Sequence, residues 1–167
     1  MLLEVLRTQF ELLLSPSVGA HVREQSVLVG ASCTLYAVPG AVLLTGAKHP
    51  ARVAPQATAW VIQAGLSFSA DYTFLKDEHW VHAADRVWAL SLCMHQCREL
   101  VRAGVARAWR PTVAFTALAS AGIAALHNGR TTPSQREHEL SHASWHVLSV
   151  SAVVLGMRRF PHHIKGV

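Results

Sequence analysis

The chain has little charge, and the charged residues it does have are clustered. Aspartate, glutamate, lysine and arginine make up 15% of its 167 residues, whereas about 25% is usual for a soluble domain. Uncharged stretches occupy 25–47, 53–70, 111–129 and 140–157. A helix of about 17–25 mostly apolar residues is long enough to cross a bilayer. The shortage of charge therefore predicts an integral membrane protein, with a soluble bundle of unusually apolar helices as the alternative.

Cysteine is also scarce, and its spacing does not give a CxxC redox or zinc pair. The three cysteines, Cys33, Cys93 and Cys97, all fall within apolar stretches. Because Cys93 and Cys97 are four residues apart, they do not form a CxxC motif. We interpret all three as small packing residues. The net charge of +5 is accompanied by no nucleic-acid-binding motif, so we attribute it to membrane topology.

The predicted fold is an all-α, polytopic membrane helix bundle of about five transmembrane helices. Residues 80–97 are apolar enough for a fifth span but contain Asp85 and Arg86, and ionisable groups inside a membrane are candidates for function. The predicted helices cover residues 26–47, 54–75, 80–103, 111–128 and 137–158, with a turn-rich loop at 127–137.

Three segments follow from this pattern. Residues 1–25 are predicted to form an N-terminal interfacial segment, since Glu4 and Glu11 interrupt its apolar run. Residues 26–158 form the transmembrane helix bundle, and 159–167 form a basic cytoplasmic tail. With five spans, nine lysines and arginines lie on the side of the C-terminus and five on the other. Basic loops favour the cytoplasm, so the C-terminus is predicted to be cytoplasmic.

The segment HELSHASWHVLSV (138–150) carries three histidines at four-residue intervals. Four residues correspond to about 400° of helix, so His138, His142 and His146 share one face. In the predicted topology three helices bring polar side chains to the same leaflet. These are Ser67, Asp71, His82, Asp85, His142 and His146.

This set of residues suits zinc. His142 and His146 provide the pair of ligands that one helix can offer a tetrahedral metal ion, and a carboxylate or His82 is the predicted third ligand. A remaining aspartate can orient a metal-activated water or accept its proton. Ser67 can donate a hydrogen bond to a developing oxyanion. These roles describe metal-assisted hydrolysis within a bilayer.

At these residues the sequence resembles the CREST superfamily of membrane hydrolases, which includes the alkaline ceramidases and the adiponectin and progestin receptors. The motif SFSAD places Ser67 at the serine of that family and Asp71 at its first zinc histidine. HAADR places Asp85 at its aspartate, and HASWH supplies His142 and His146.

The resemblance implies a short, divergent, ceramidase-like zinc hydrolase acting on a lipid amide or ester within the bilayer. Ser67 and Asp85 are then catalytic, and His142 and His146 bind zinc. The third ligand is Asp71, with His82 as the alternative.

Other interpretations remain open from the sequence. Each histidine can be a hydrogen-bonded packing residue, and Asp71 or Asp85 can neutralise Arg86 within the membrane. A non-catalytic membrane protein, structural or receptor-like, would need only such a buried polar cluster. A haem protein with histidines from two helices as axial ligands is the third possibility.

Overall fold

The computed structural model describes residues 23–77, 79–102 and 109–159. Within these ranges the chain forms helices and short turns without a strand, which confirms the all-α class for the described residues. The helices are α1 (Val27–Cys33), α2 (Ala37–Gly46), α3 (Pro50–Phe68), α4 (Trp80–Arg102), α5 (Trp109–Thr131) and α6 (Gln135–Arg159). Most of the predicted interfacial segment and nearly all of the predicted basic tail lie outside the described residues.

Helices α1 and α2 form one continuous rod through a 3-10 turn at Thr34–Tyr36. Pro39 lacks the N–H that would bond to the Leu35 carbonyl in a regular α-helix. The tighter 3-10 turn lies just before this missing bond. Around it, Ser32, Cys33 and Tyr36 are buried, so this rod contributes polar and thiol groups to the interior.

Helix α3 ends in a π turn at Ser69–Thr73, where the Phe74 N–H donates to the Ser69 carbonyl at 2.8 Å. A π turn adds one residue to the helical turn and occurs frequently at functional sites. Here the third residue of the widened turn is Asp71.

Helix α3 was predicted to begin at residue 54, but it begins at Pro50, since proline is well accommodated in the first turn of a helix.

Helices α5 and α6 form a closely packed hairpin. The loop predicted at 127–137 is shorter in the structure, because α5 continues through Thr131 and α6 begins at Gln135. The buried guanidinium of Arg23 donates to the loop carbonyls of Thr132 and Ser134. A Cβ atom at Gly129 would lie 3.2 Å from the Ser141 Cβ, so glycine permits the close approach of α5 beside the histidines of α6.

The apolar core lies between α2, α3, α4 and α6. Its buried members include Tyr36, Leu43, Val53, Ala57, Trp60, Leu92, Val150 and Met157. Helix α4 packs on α3, where the Trp88 indole N–H donates to the Ala59 carbonyl at 2.9 Å. Among the described residues α4 packs little against α5, and this leaves a cleft between the two helices.

Two helical stretches are long and apolar enough to cross a membrane, Val27–Gly46 and Gln135–Met157. This criterion concerns length and composition alone, and core helices of soluble proteins also meet it. The described residues thus contain two candidate spans, and the five-span arrangement stays a prediction.

Candidate metal centre

Asp71 lies at the centre of a buried polar cluster. Its Oδ2 atom is 3.1 Å from His142 Nε2 and 3.7 Å from His146 Nε2. The hydroxyl of Ser67, one helical turn earlier, lies 3.4 Å from the same oxygen. The Cys33 Sγ atom lies 4.0 Å from it. The π turn at the end of α3 therefore brings a carboxylate between α1 and the histidine face of α6.

The orientation of His146 is determined by Ser32. The Ser32 hydroxyl donates to the Val29 carbonyl at 2.7 Å, and its oxygen lies 2.8 Å from His146 Nδ1. A hydroxyl has one proton, so when Ser32 donates it to Val29 its oxygen accepts from the Nδ1–H of the ring. The Nε2 atom of neutral His146 then has an unprotonated lone pair directed at the Asp71 carboxylate. Such a hydrogen bond from the distal ring nitrogen is typical of metal-binding histidines.

Two of the distances between these donor atoms are close to those expected in a zinc site. Atoms bound about 2.0–2.2 Å from one tetrahedral zinc lie about 3.3–3.6 Å from each other. The two distances from Asp71 to the histidines, 3.1 and 3.7 Å, are on either side of that range. A carboxylate facing an imidazole lone pair repels it unless a cation or proton lies between them. The arrangement of Asp71, His142 and His146 therefore suits a bound cation.

Cys33 belongs to the same cluster, although its place in an apolar stretch predicted a packing role. Its side chain is fully buried, and the donor atoms of Cys33, Asp71 and His146 all lie within 4.8 Å of one another. No motif or spacing pointed to this cysteine, since it precedes Asp71 by 38 residues. Only the packing of α1 on α6 brings it to the site.

A cavity of about 220 Å³ opens beside the cluster. Asp71 and His142 form part of its wall, and their side chains are 15% and 10% exposed. His146 and Cys33, with exposures of 1% and 0%, lie outside the lining of the cavity. The other lining residues include Tyr36, Gln63, His82, Asp85, Arg86, Arg130 and Trp145. A cation in the cluster would thus be reached from the side of Asp71 and His142.

Asp85 is held in the same cavity by α3. The Gln63 amide donates to Asp85 Oδ1 at 2.7 Å, and Gln63 is 2% exposed. The other amide atom, Gln63 Oε1, is buried and has no hydrogen-bond partner. Asp71, from the turn that ends α3, and Asp85, from α4, therefore line one cavity.

His82, Ser67 and His138 each make a hydrogen bond that indicates their role. His82 is buried and lines the cavity, but its Nε2 lies 3.0 Å from the Phe74 and Asp77 carbonyls. Because carbonyls only accept, this nitrogen is a donor that holds the turn after α3, and the geometry favours Asp71 as the third ligand. Ser67 contacts Asp71 and is not among the cavity-lining residues, so its hydroxyl is placed to orient that carboxylate. His138 Nδ1 lies 2.8 Å from the Gly129 carbonyl.

A second cavity, of about 160 Å³, adjoins the first. Tyr36, Gln63, Ala89 and Trp145 contribute to both. Most of its other lining residues are apolar and come from α4, α5 and α6, among them Leu92, Phe115, Ala119, Ile123 and Val153. It lies along the cleft between α4 and α5. A polar compartment therefore shares a wall with an apolar one.

The chain matches no protein-family model, no curated protein and no solved structure, so the resemblance to the CREST superfamily stays a prediction and the candidate site is described by its own geometry.

Proposed function

We propose that the protein is a membrane-embedded, zinc-dependent hydrolase of a lipid amide or ester, and that it crosses the membrane several times with a cytoplasmic C-terminus. One observation carries this proposal. The Nε2 atoms of His142 and His146 lie 3.1 and 3.7 Å from Asp71 Oδ2, at the edge of a polar cavity.

Asp71, His142 and His146 would be the zinc ligands. Two histidines and one carboxylate are a known set for catalytic zinc, which takes a water as its remaining ligand. Ser32 fixes the His146 tautomer, and Ser67 donates to the Asp71 carboxylate. When bound, zinc would polarise the substrate carbonyl and make a water acidic enough to lose a proton near neutral pH.

Asp85 would transfer the proton. Its carboxylate lines the cavity and is held by Gln63 through Oδ1. In hydrolysis it would accept a proton from the attacking water and return that proton to the leaving amine or alcohol. A positioned acid–base group of this kind contributes about 10²–10⁴-fold to a rate. The oxyanion contact predicted for Ser67 is less favoured by the geometry than its contact with Asp71.

The two adjoining cavities support an amphiphilic substrate. The polar cavity includes the cationic side chains of Arg86 and Arg130 beside the carboxylates, and the apolar cavity continues from its wall. A lipid head group would occupy the first and an acyl chain the second. The cleft between α4 and α5 provides a lateral path for a lipid from the bilayer.

The outer surface supports membrane embedding. Large apolar side chains are exposed on α3, α4 and α5, among them Val61, Leu90, Met94, Val113 and Ile123, each 56–66% exposed. A soluble monomer rarely exposes so much apolar surface over several helices. Contact with lipid acyl chains would cover these residues, although only Val27–Gly46 and Gln135–Met157 meet the span criterion.

The test uses the full chain reconstituted in lipid nanodiscs. Zinc content and hydrolysis of a fluorogenic N-acyl amide and its matched ester are measured for wild type, His146→Ala and His138→Ala. His138 is the matched control, because it lies two turns earlier on the same helix face and bonds to the Gly129 carbonyl. We expect about one zinc per chain and hydrolysis for wild type and His138→Ala, and neither for His146→Ala. Equal zinc in His142→Ala, His146→Ala and wild type would refute the metal site.

A non-catalytic membrane protein with a buried polar cluster is the second candidate. It is favoured by the direct contact between Asp71 and His142 at 3.1 Å, which satisfies both side chains without a metal. Wild-type protein that folds, binds no zinc and hydrolyses neither substrate would establish this role instead.

A further inference from the structure

Cys33 has the position of a metal ligand rather than of a packing residue. It ends α1, its side chain is fully buried, and its Sγ lies 4.0 Å from Asp71 Oδ2. In a tetrahedral zinc site with Zn–S of about 2.3 Å and Zn–O of about 2.0–2.2 Å, these atoms are about 3.5–3.7 Å apart. A movement of a few tenths of an ångström would bring the thiolate to that distance.

The thiol also has a local alternative. Its Sγ lies 3.3 Å from the Val29 carbonyl, one turn earlier on α1. This weak hydrogen bond would suffice for a buried packing cysteine. It does not account for the remaining neighbours, because a packing cysteine needs neither a carboxylate nor an imidazole nitrogen within 4.8 Å. The neighbouring residue Ser32 also serves the cluster, through His146.

We propose that Cys33 is a fourth protein ligand of the metal ion held by Asp71, His142 and His146. This inference rests on the metal centre of the proposed function, and the water of that function would then take a fifth position on the cavity side. On binding, the Cys33 thiol gives its proton to water and Sγ bonds to the cation. Cys33 and His146 hold the ion from the buried side, and Asp71 and His142 hold it from the cavity side.

A thiolate ligand determines which metals the site accepts. Soft sulfur ligands favour zinc and other thiophilic ions, whereas magnesium, calcium and manganese prefer oxygen ligands. With one sulfur, two imidazoles and one carboxylate, the site should discriminate strongly against those oxygen-preferring ions. A site of Asp71, His142 and His146 alone would discriminate less.

Cobalt substitution tests the proposal. The full chain in nanodiscs, kept reduced, is loaded with Co²⁺ and its absorption spectrum is recorded for wild type, Cys33→Ser and Cys93→Ser. Cys93 is the matched control, since it lies in a helix but is exposed on α4. We expect a near-ultraviolet sulfur-to-cobalt charge-transfer band in wild type and Cys93→Ser, and its loss in Cys33→Ser. Zinc affinity of Cys33→Ser should fall at least about 10–100-fold, the loss found for removing outer-shell partners.

The outcomes separate this inference from the proposed function. Visible cobalt bands without a sulfur band in wild type would overturn the role of Cys33 and leave the other three ligands in place. The wild-type spectrum decides this even if Cys33→Ser fails to fold. A sulfur band that persists in Cys33→Ser would also overturn it. A Cys33-dependent band in a protein that hydrolyses neither lipid probe would support the ligand and refute the hydrolase.

Discussion

Replacing Ser32 with alanine should weaken metal binding, although Ser32 is not proposed as a ligand. The Ser32 oxygen lies 2.8 Å from His146 Nδ1, and both residues are buried. Without this acceptor, neutral His146 loses the partner that keeps the proton on Nδ1 and the lone pair on Nε2. The ring can then change tautomer or rotate, and either change withdraws the lone pair from Asp71.

The expected magnitude follows from the role of outer-shell hydrogen bonds. Removing such a partner typically lowers metal affinity 10–100-fold, which corresponds to about 1.4–2.7 kcal/mol. The metal-free protein should also become less stable. A buried N–H left without an acceptor costs about 1–3 kcal/mol, so the melting temperature of the apoprotein should fall.

A competitive zinc titration against a chromophoric chelator measures the first effect, and thermal unfolding of the metal-free protein measures the second. Thr34→Ala is the matched control. Thr34 lies in the same rod and donates to the Ala31 carbonyl at 2.7 Å, as Ser32 does to Val29, but it is exposed. If Ser32→Ala binds zinc as tightly as wild type, or if both variants lose affinity equally, the assignment of the His146 tautomer is refuted.

Three other changes test separate parts of the structure. Asp85→Asn should retain zinc and lower hydrolysis by about 10²–10⁴-fold; an unchanged turnover number at saturating substrate would remove Asp85 from the mechanism. Asp71→Ala should abolish zinc binding. His82→Ala should keep zinc but lower the melting temperature, because the carbonyls after α3 lose their donor. If Asp71→Ala keeps zinc and His82→Ala loses it, His82 is the third ligand. Gly40→Ala should destabilise the fold by about 1–3 kcal/mol, because its Cβ would lie 2.7 Å from the Ala57 carbonyl oxygen. Gly65→Ala, with no atom within 4 Å of its Cβ, is the control in chemical unfolding, and equal losses would contradict this account of packing.

Local sequence patterns were sufficient for the helices and for part of the site. The uncharged stretches predicted helices close to those observed, because apolar residues over this length favour helix in any apolar surrounding. The four-residue interval of His142 and His146 placed both on one face, since the geometry of a helix requires it. The start of α3 and the end of α5 were predicted less accurately, since α3 begins at Pro50 and not at residue 54, and α5 continues to Thr131 and not to residue 128.

The sequence patterns do not predict contacts between helices that are far apart along the chain. Ser32 and His146 are separated by 114 residues, and Cys33 and Asp71 by 38. A serine and a cysteine in an apolar helix carry no spacing signal, so the sequence predicts only a packing role for Cys33 and no role for Ser32. His82 belongs to the predicted polar set and lines the cavity, but which of its atoms face the carbonyls depends on the turn at Phe74–Asp77.

The sequence by itself determined that this chain is helical and that two histidines of α6 face the same way, because both properties depend on residues within a few turns of each other. Tertiary structure decided which groups those histidines meet. The π turn directs Asp71 toward His142, and the packing of α1 on α6 brings Ser32 and Cys33 to His146. These choices depend on how side chains of separate helices fill space together, and that information is not contained in the spacing along any one of them.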